Sequence, residues 1–199
     1  MSTAANISKH IFLNAVECHT RGWFLCNEMG VTGPTPAELI RMRQGQEIHR
    51  LARERLPEGV FVGDLKAEKA INRTRELLQD QGTPVLFEPY FKHGRCVTRA
   101  DSFSRRDDGW CLEEVKSSLG QNPGHLDDLA YTTMVVQGAG VRIREVMLTL
   151  VNKEYRHGSS EVPLLWSVDV TEEVFSRAAE FEVLRPQIEL ALAAQVCPE

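Results

Sequence analysis

Two strand-like runs, RCVTRADSF (95–103) and WCLEEVKSS (110–118), lie either side of a short turn containing Arg106-Asp107-Asp108-Gly109. That pattern predicts an antiparallel hairpin. The period of two then decides which side chains can share a face. Glu114 and Lys116 point the same way, about 7 Å apart, while Glu113 points oppositely with Cys111 and Val115. A two-residue loop at Asp107-Asp108 sets Asp101 opposite Glu114. A loop at Asp108-Gly109, chemically the better type I′ turn, sets Asp101 opposite Lys116. Both registers gather Asp101, Glu114 and Lys116 on one face, whereas a one-residue slip scatters them.

Charge in a strand is costly unless something neutralises it. Two carboxylates and a lysine on one face are what metal-assisted phosphodiester hydrolysis requires, with Mg²⁺ or Mn²⁺ held by hard oxygen ligands. The lysine would position a water, assist its deprotonation or stabilise charge on phosphorus. The plainer alternative is an exposed sheet face with cross-strand ion pairs such as Asp101–Lys116.

Around this hairpin the chain alternates helix and strand signals. Thr35–Gly59 reads as a helix capped by Thr35, with Pro36 in its first turn and Pro57-Glu58-Gly59 ending it. A second helix is expected over 65–79, and a strand over PVLFEPYF (84–91). After Asn122-Pro123-Gly124, HLDDLAYTTMVVQ reads as a helix with Asp127 and Asp128 in its first turn. VRIREVMLTLV (141–151) and VPLLWSV (162–168) read as strands. Thr171 is expected to cap a last helical stretch that Pro186 should kink or split. The resulting fold class is α/β, a central mixed sheet flanked by helices in α-β-β-β-α-β order. One domain is expected over 1–199, with a helical part at 1–60 and a helical, acidic tail at 171–199.

Composition narrows the function classes. The 199 residues are 42% apolar and 26% charged, ordinary values for a folded chain. No apolar run approaches the roughly 20 residues needed to span a bilayer. MSTAANISKHIF lacks a secretory n-region and h-region, so a cytoplasmic location without membrane attachment is expected. The formal net charge is −5, but it is unevenly placed. Residues 161–199 hold eight acids against two bases, and residues 41–116 hold fifteen bases against thirteen acids. The middle of the chain can therefore still attract phosphates. Five scattered cysteines form no CxxC pair.

RADSF and WCLEEVK together resemble the PD-(D/E)xK nuclease signature. From about Ile7 to Gly158 the chain resembles the RecB-like branch, which includes the CRISPR-adaptation exonucleases. ISKHIFLNAVEC is similar to that branch's opening segment, and GQEIHRLARERLPEGV to its histidine-bearing helix. LFEPYF, TRADSF and LEEVKSS are similar to its three-strand core, with HLDDLAYTTMVV and LVNKEYRHG following in order. The resemblance implies a restriction-endonuclease-like core and a metal-dependent deoxyribonuclease. Asp101, Glu114, His49 and the Val115 carbonyl would be ligands of Mg²⁺ or Mn²⁺, and Lys116 the catalytic lysine. Glu88 and Tyr131 would assist. Arg50, Arg53, Arg99, Arg105 and Arg156 are candidates for phosphate contacts with DNA. The family's glutamine beside the tyrosine is replaced by Thr132. The family's iron–sulfur cysteines are matched only at Cys18 and Cys197, so no cluster is expected. The Thr132 departure motivates an alternative: a weak or silent nuclease-fold subunit that binds nucleic acid or assembles with a helicase or nuclease partner.

Overall fold

A computed structural model describes residues 5–27, 33–158 and 161–198. Three helices come first: α1 (Lys9–Glu17), α2 (His19–Cys26) and α3 (Pro36–Glu54). Thr35 caps α3 through a capping box, its hydroxyl accepting from the Glu38 N–H while the Glu38 carboxylate accepts from the Thr35 N–H. A short strand β1 (Val60–Phe61) and helix α4 (Ala67–Gln79) follow. Then come β2 (Val85–Phe87), β3 (Tyr90–His93), β4 (Cys96–Arg99), β5 (Ser102–Arg106) and β6 (Gly109–Lys116). The chain continues through α5 (Pro123–Gly138), β7 (Ile143–Val151), β8 (Leu165–Asp169) and α6 (Thr171–Ala193).

Six strands form one mixed sheet in the order β1-β2-β5-β6-β7-β8, with β1–β2 and β6–β7 parallel and the other pairs antiparallel. Parallel pairing of β6 with β7 requires a crossover, and α5 is that crossover. The α-β-β-β-α-β order expected of a restriction-endonuclease-like core is present. Alternation along the strands puts Phe103, Leu112 and Leu148 into the buried core with Leu129 and Val135 of α5 and Phe181 of α6. Burying each side chain of that size contributes about 1.5–3 kcal/mol. Ser104, Cys111, Glu113 and Met147 line a cleft on the opposite face, which Arg55 and Leu56 border just beyond the end of α3.

Four sequence expectations need correction. The runs 84–91 and 95–103 are not single strands. Both leave the six-stranded sheet at a shared corner, and their continuations β3 and β4 pair only with each other. Pro89 excludes Glu88 from the right-handed helical region, and Glu88 sits at φ 53°, a conformation that costs a non-glycine residue of order 1 kcal/mol. The corner is held by Glu88 N–H donating to the Asp101 carbonyl (3.2 Å) and Ala100 N–H donating to the Pro89 carbonyl (3.2 Å). Helix α5 begins at Pro123 with Asn122 as its cap, so Asp127 and Asp128 lie beyond its first turn. Helix α6 is not split, because Phe181, Ile188 and Leu192 stay buried on both sides of Pro186. Thr171 is its first residue rather than its cap; the Thr171 hydroxyl accepts from the Val146 N–H and donates to Asp169.

Candidate active site

The β5–β6 register decides between the two loops. Ser102 lies opposite Glu113 and Arg106 opposite Gly109, so the loop is Asp107-Asp108. Carried one residue further, this register sets Asp101 opposite Glu114. The alternative turn is excluded by a neighbouring strand. Asp108 pairs with Arg142 (3.2 Å) and Arg144 (3.0 Å), and a Cβ at Gly109 would stand 2.8 Å from the Arg142 carbonyl oxygen.

The corner and the end of β6 bring the carboxylates together. Asp101 Oδ2 accepts from the Val115 N–H at 2.7 Å, and its Oδ1 lies 3.6 Å from His49 Nδ1 on α3. An extended residue projects its N–H and C=O toward the same neighbour, so the Val115 carbonyl also faces the Asp101 edge. Glu114 is only 4% exposed. Its Oε1 stands 2.9 Å from both Lys9 Nζ and Lys116 Nζ, while its Oε2 is buried without a hydrogen-bond partner among the described residues. Lys116 Nζ also reaches Asp128 Oδ2 at 2.5 Å.

Electrostatics follow from this packing. Burial, and then the Glu114 charge, push the Asp101 carboxyl well above the ordinary aspartate range. Burial alone would raise Glu114 too, but the Lys9 and Lys116 ammonium groups outweigh it and hold Glu114 low. Burial would favour a neutral Lys116, yet Glu114 and Asp128 overcome that and keep it charged. His49 is shifted down, chiefly by burial, which leaves a neutral imidazole. Among the described residues no three His, Cys, Asp or Glu side chains already stand grouped as a metal site.

A cleft of about 310 Å³ opens beside His49, lined also by Met42, Gly45, Gln46, Arg53 and Glu88. Arg53 stands 3.6 Å from Glu88 and over the Phe61 ring. The other candidate arginines serve elsewhere. Arg99 donates to the carbonyls of Glu88 and Leu65 and so clamps the corner. Arg105 donates to the carbonyls of Leu78, Asp80 and Thr83 and stacks on Trp110. Arg156 binds the carbonyls of Lys153 and Tyr155 in its own turn, and Arg50 is neutralised by Glu47 and Glu54.

Tyr131 is not in the site. It is fully buried, donating its hydroxyl to the Ile7 carbonyl (2.7 Å) and accepting from the Val97 N–H (3.2 Å). This bond ties the segment before α1 to β4 and α5. Tyr131→Phe is expected to cost about 1–2 kcal/mol in urea denaturation and to leave divalent-metal binding unchanged. Thr132 is buried as well, bonded to the Asp128 carbonyl and to Thr98. Lys9 and Asp128, absent from the sequence-derived set, are the groups that contact Glu114 and Lys116.

No protein-family model matches the sequence, and no curated protein matches it. Among solved structures, the chain is similar to that of LHK-Exo in complex with dAMP, with 10% identity and a TM-score of 0.46 over 95% of this chain and 90% of that one. It is also similar to the structure of SSO0001, with 11% identity and a TM-score of 0.29 over 76% of this chain and 87% of that one.

Proposed function

We propose that this chain is a divalent-metal-dependent nuclease hydrolysing DNA phosphodiester bonds. The observation that carries the reading is the buried Oε2 of Glu114, without a hydrogen-bond partner among the described residues, beside Asp101 and Lys116 at the end of the central strands. A buried carboxylate oxygen without a donor is costly unless a ligand takes it. The donors at hand are two carboxylates, one backbone carbonyl and one neutral imidazole, a set that suits Mg²⁺ or Mn²⁺. Asp101, Glu114, His49 and the Val115 carbonyl would hold the ion. When bound, it supplies polarisation of the phosphorus–oxygen bond and a water of lowered pKa.

The protein's own groups do the rest. Lys116, kept protonated between Glu114 and Asp128, acts as a hydrogen-bond donor rather than a base. It orients the attacking water and stabilises the charge that develops on the phosphoryl oxygens. The Asp101–Val115 bond fixes the carboxylate against the strand that carries Glu114. Arg53, which lines the cleft beside Glu88 and Phe61, would contact a neighbouring phosphate.

The test is incubation of the purified protein with labelled single- and double-stranded DNA, with Mg²⁺ or Mn²⁺ and with a chelator. Cleavage that needs the metal and stops with the chelator is the expected result. The burial of Thr132, bonded to Thr98 and the Asp128 carbonyl, favours a second reading, a silent nuclease-fold subunit that binds nucleic acid or works beside a helicase or nuclease partner. Binding of DNA with no cleavage under either metal would select it.

A further inference from the structure

Lys9 stands where the metal chemistry alone does not require a second ammonium. Its Nζ shares Glu114 Oε1 with Lys116, both at 2.9 Å. The placement is built in by the fold. Ile7 donates to the Arg95 carbonyl (2.8 Å) and accepts from the Val97 N–H (2.9 Å). Phe12, one turn along α1, packs against Tyr131 and Phe181. Lys9 therefore enters the site from a rigid helix, with its side chain 23% exposed toward solvent.

Charge balance indicates what this ammonium is for. In the metal-free protein Lys9, Lys116, Glu114 and Asp128 sum to zero. Arg53 lies 3.6 Å from Glu88 and Arg55 lies 3.8 Å from Glu113, so each of these carboxylates has its own cation. With Asp101 ionised and a divalent cation added, the site carries one net positive charge. That equals the single negative charge of a phosphodiester. Without Lys9 the loaded site would be neutral and would not attract one.

We propose that Lys9 is a second phosphate-binding lysine: it neutralises Glu114 from Oε1 in the metal-free protein and, with the metal on Oε2, turns to a non-bridging phosphoryl oxygen of the substrate. This rests on the nuclease reading above for its substrate. The ammonium and the cation are like charges on the two oxygens of one carboxylate, so removing Lys9 favours metal and disfavours DNA.

The full chain with Lys9→Met or Lys9→Arg tests this, each variant first checked for wild-type circular dichroism. Free Mn²⁺ is followed by electron paramagnetic resonance, DNA binding in Ca²⁺ by fluorescence anisotropy, and cleavage in Mn²⁺. Lys9→Met is expected to bind Mn²⁺ about tenfold more tightly, because one nearby positive charge is gone. It should bind DNA about tenfold more weakly and, where the wild type cuts, lose about a hundredfold in kcat/KM. Lys9→Arg should stay near wild type in all three. A Lys9→Met protein that holds DNA as well as wild type overturns the proposal. So does one that loses Mn²⁺ affinity, which would make Lys9 a structural counter-ion. A wild-type protein that binds DNA in Ca²⁺ but cuts nothing in Mn²⁺ overturns the nuclease reading alone, since the binding arm still reports on Lys9.

Discussion

Glu114→Gln is expected to lower metal-dependent cleavage by about a thousandfold or more, while Glu113→Gln keeps activity within about threefold of wild type. The two residues are adjacent and chemically alike, so only their faces differ. Glu114 is buried against Lys9 and Lys116 with one oxygen left for a ligand. Glu113 lies on the opposite face, accepting from the Thr149 hydroxyl at 2.5 Å and lying 3.8 Å from Arg55. A glutamine at 113 retains the Thr149 bond. A glutamine at 114 keeps the shape but removes the carboxylate charge that Lys9 pairs with and Lys116 shares with Asp128, which should also cost some stability. Activity should therefore be normalised to folded protein, and Mn²⁺ binding measured alongside. Equal losses in the two variants would mean that the register places the wrong carboxylate in the site.

Asp101→Asn is expected to raise the Tm of the metal-free protein while eliminating cleavage. Asp101 is confined beside Glu114, and burial and that neighbour both oppose its ionisation. An asparagine can still accept from the Val115 N–H, so the structural bond survives. Relieving about 1 kcal/mol of repulsion corresponds to roughly 2–4 °C for a chain of this size. The pH dependence has a defined sign. A group whose folded pKa lies above its unfolded value contributes stability at low pH and loses it as pH rises through the folded pKa. The advantage of Asp101→Asn should therefore be absent below the ordinary aspartate value of 3.8 and grow as pH rises above it. Mn²⁺ should reverse the order, because a ligand that binds only the native wild-type site raises its Tm. A variant less stable than metal-free wild type at neutral pH would contradict the assigned electrostatics.

Much of the architecture was legible because local chemistry and fold agreed. The Thr35 cap and Pro36 announced α3, and alternation announced the hairpin that carries Glu114 and Lys116. What was not legible depended on partners distant in sequence. The loop at Asp107-Asp108 is selected by Arg142 and Arg144, two strands of sequence away, over a turn with better intrinsic propensity. Nothing local in PVLFEPYF or RCVTRADSF showed that both runs would bend together and place Glu88 and Asp101 at one corner. Arginines are a harder case, since nothing local separates Arg105, spent on three carbonyls, from Arg53, which lines a cleft. Lys9 lies 105 residues from Glu114, and only packing of α1 onto α5 and α6 brings them together.

The proposed role of Lys116 and the neighbouring carboxylates is hydrolysis of a phosphodiester. Its most direct test is cleavage of labelled DNA in Mn²⁺ by wild type and by Lys116→Ala, compared at equal folded concentration. Wild type should cut, and Lys116→Ala should be slower by about a hundredfold to ten-thousandfold. Cleavage that persists equally in Lys116→Ala would contradict the account.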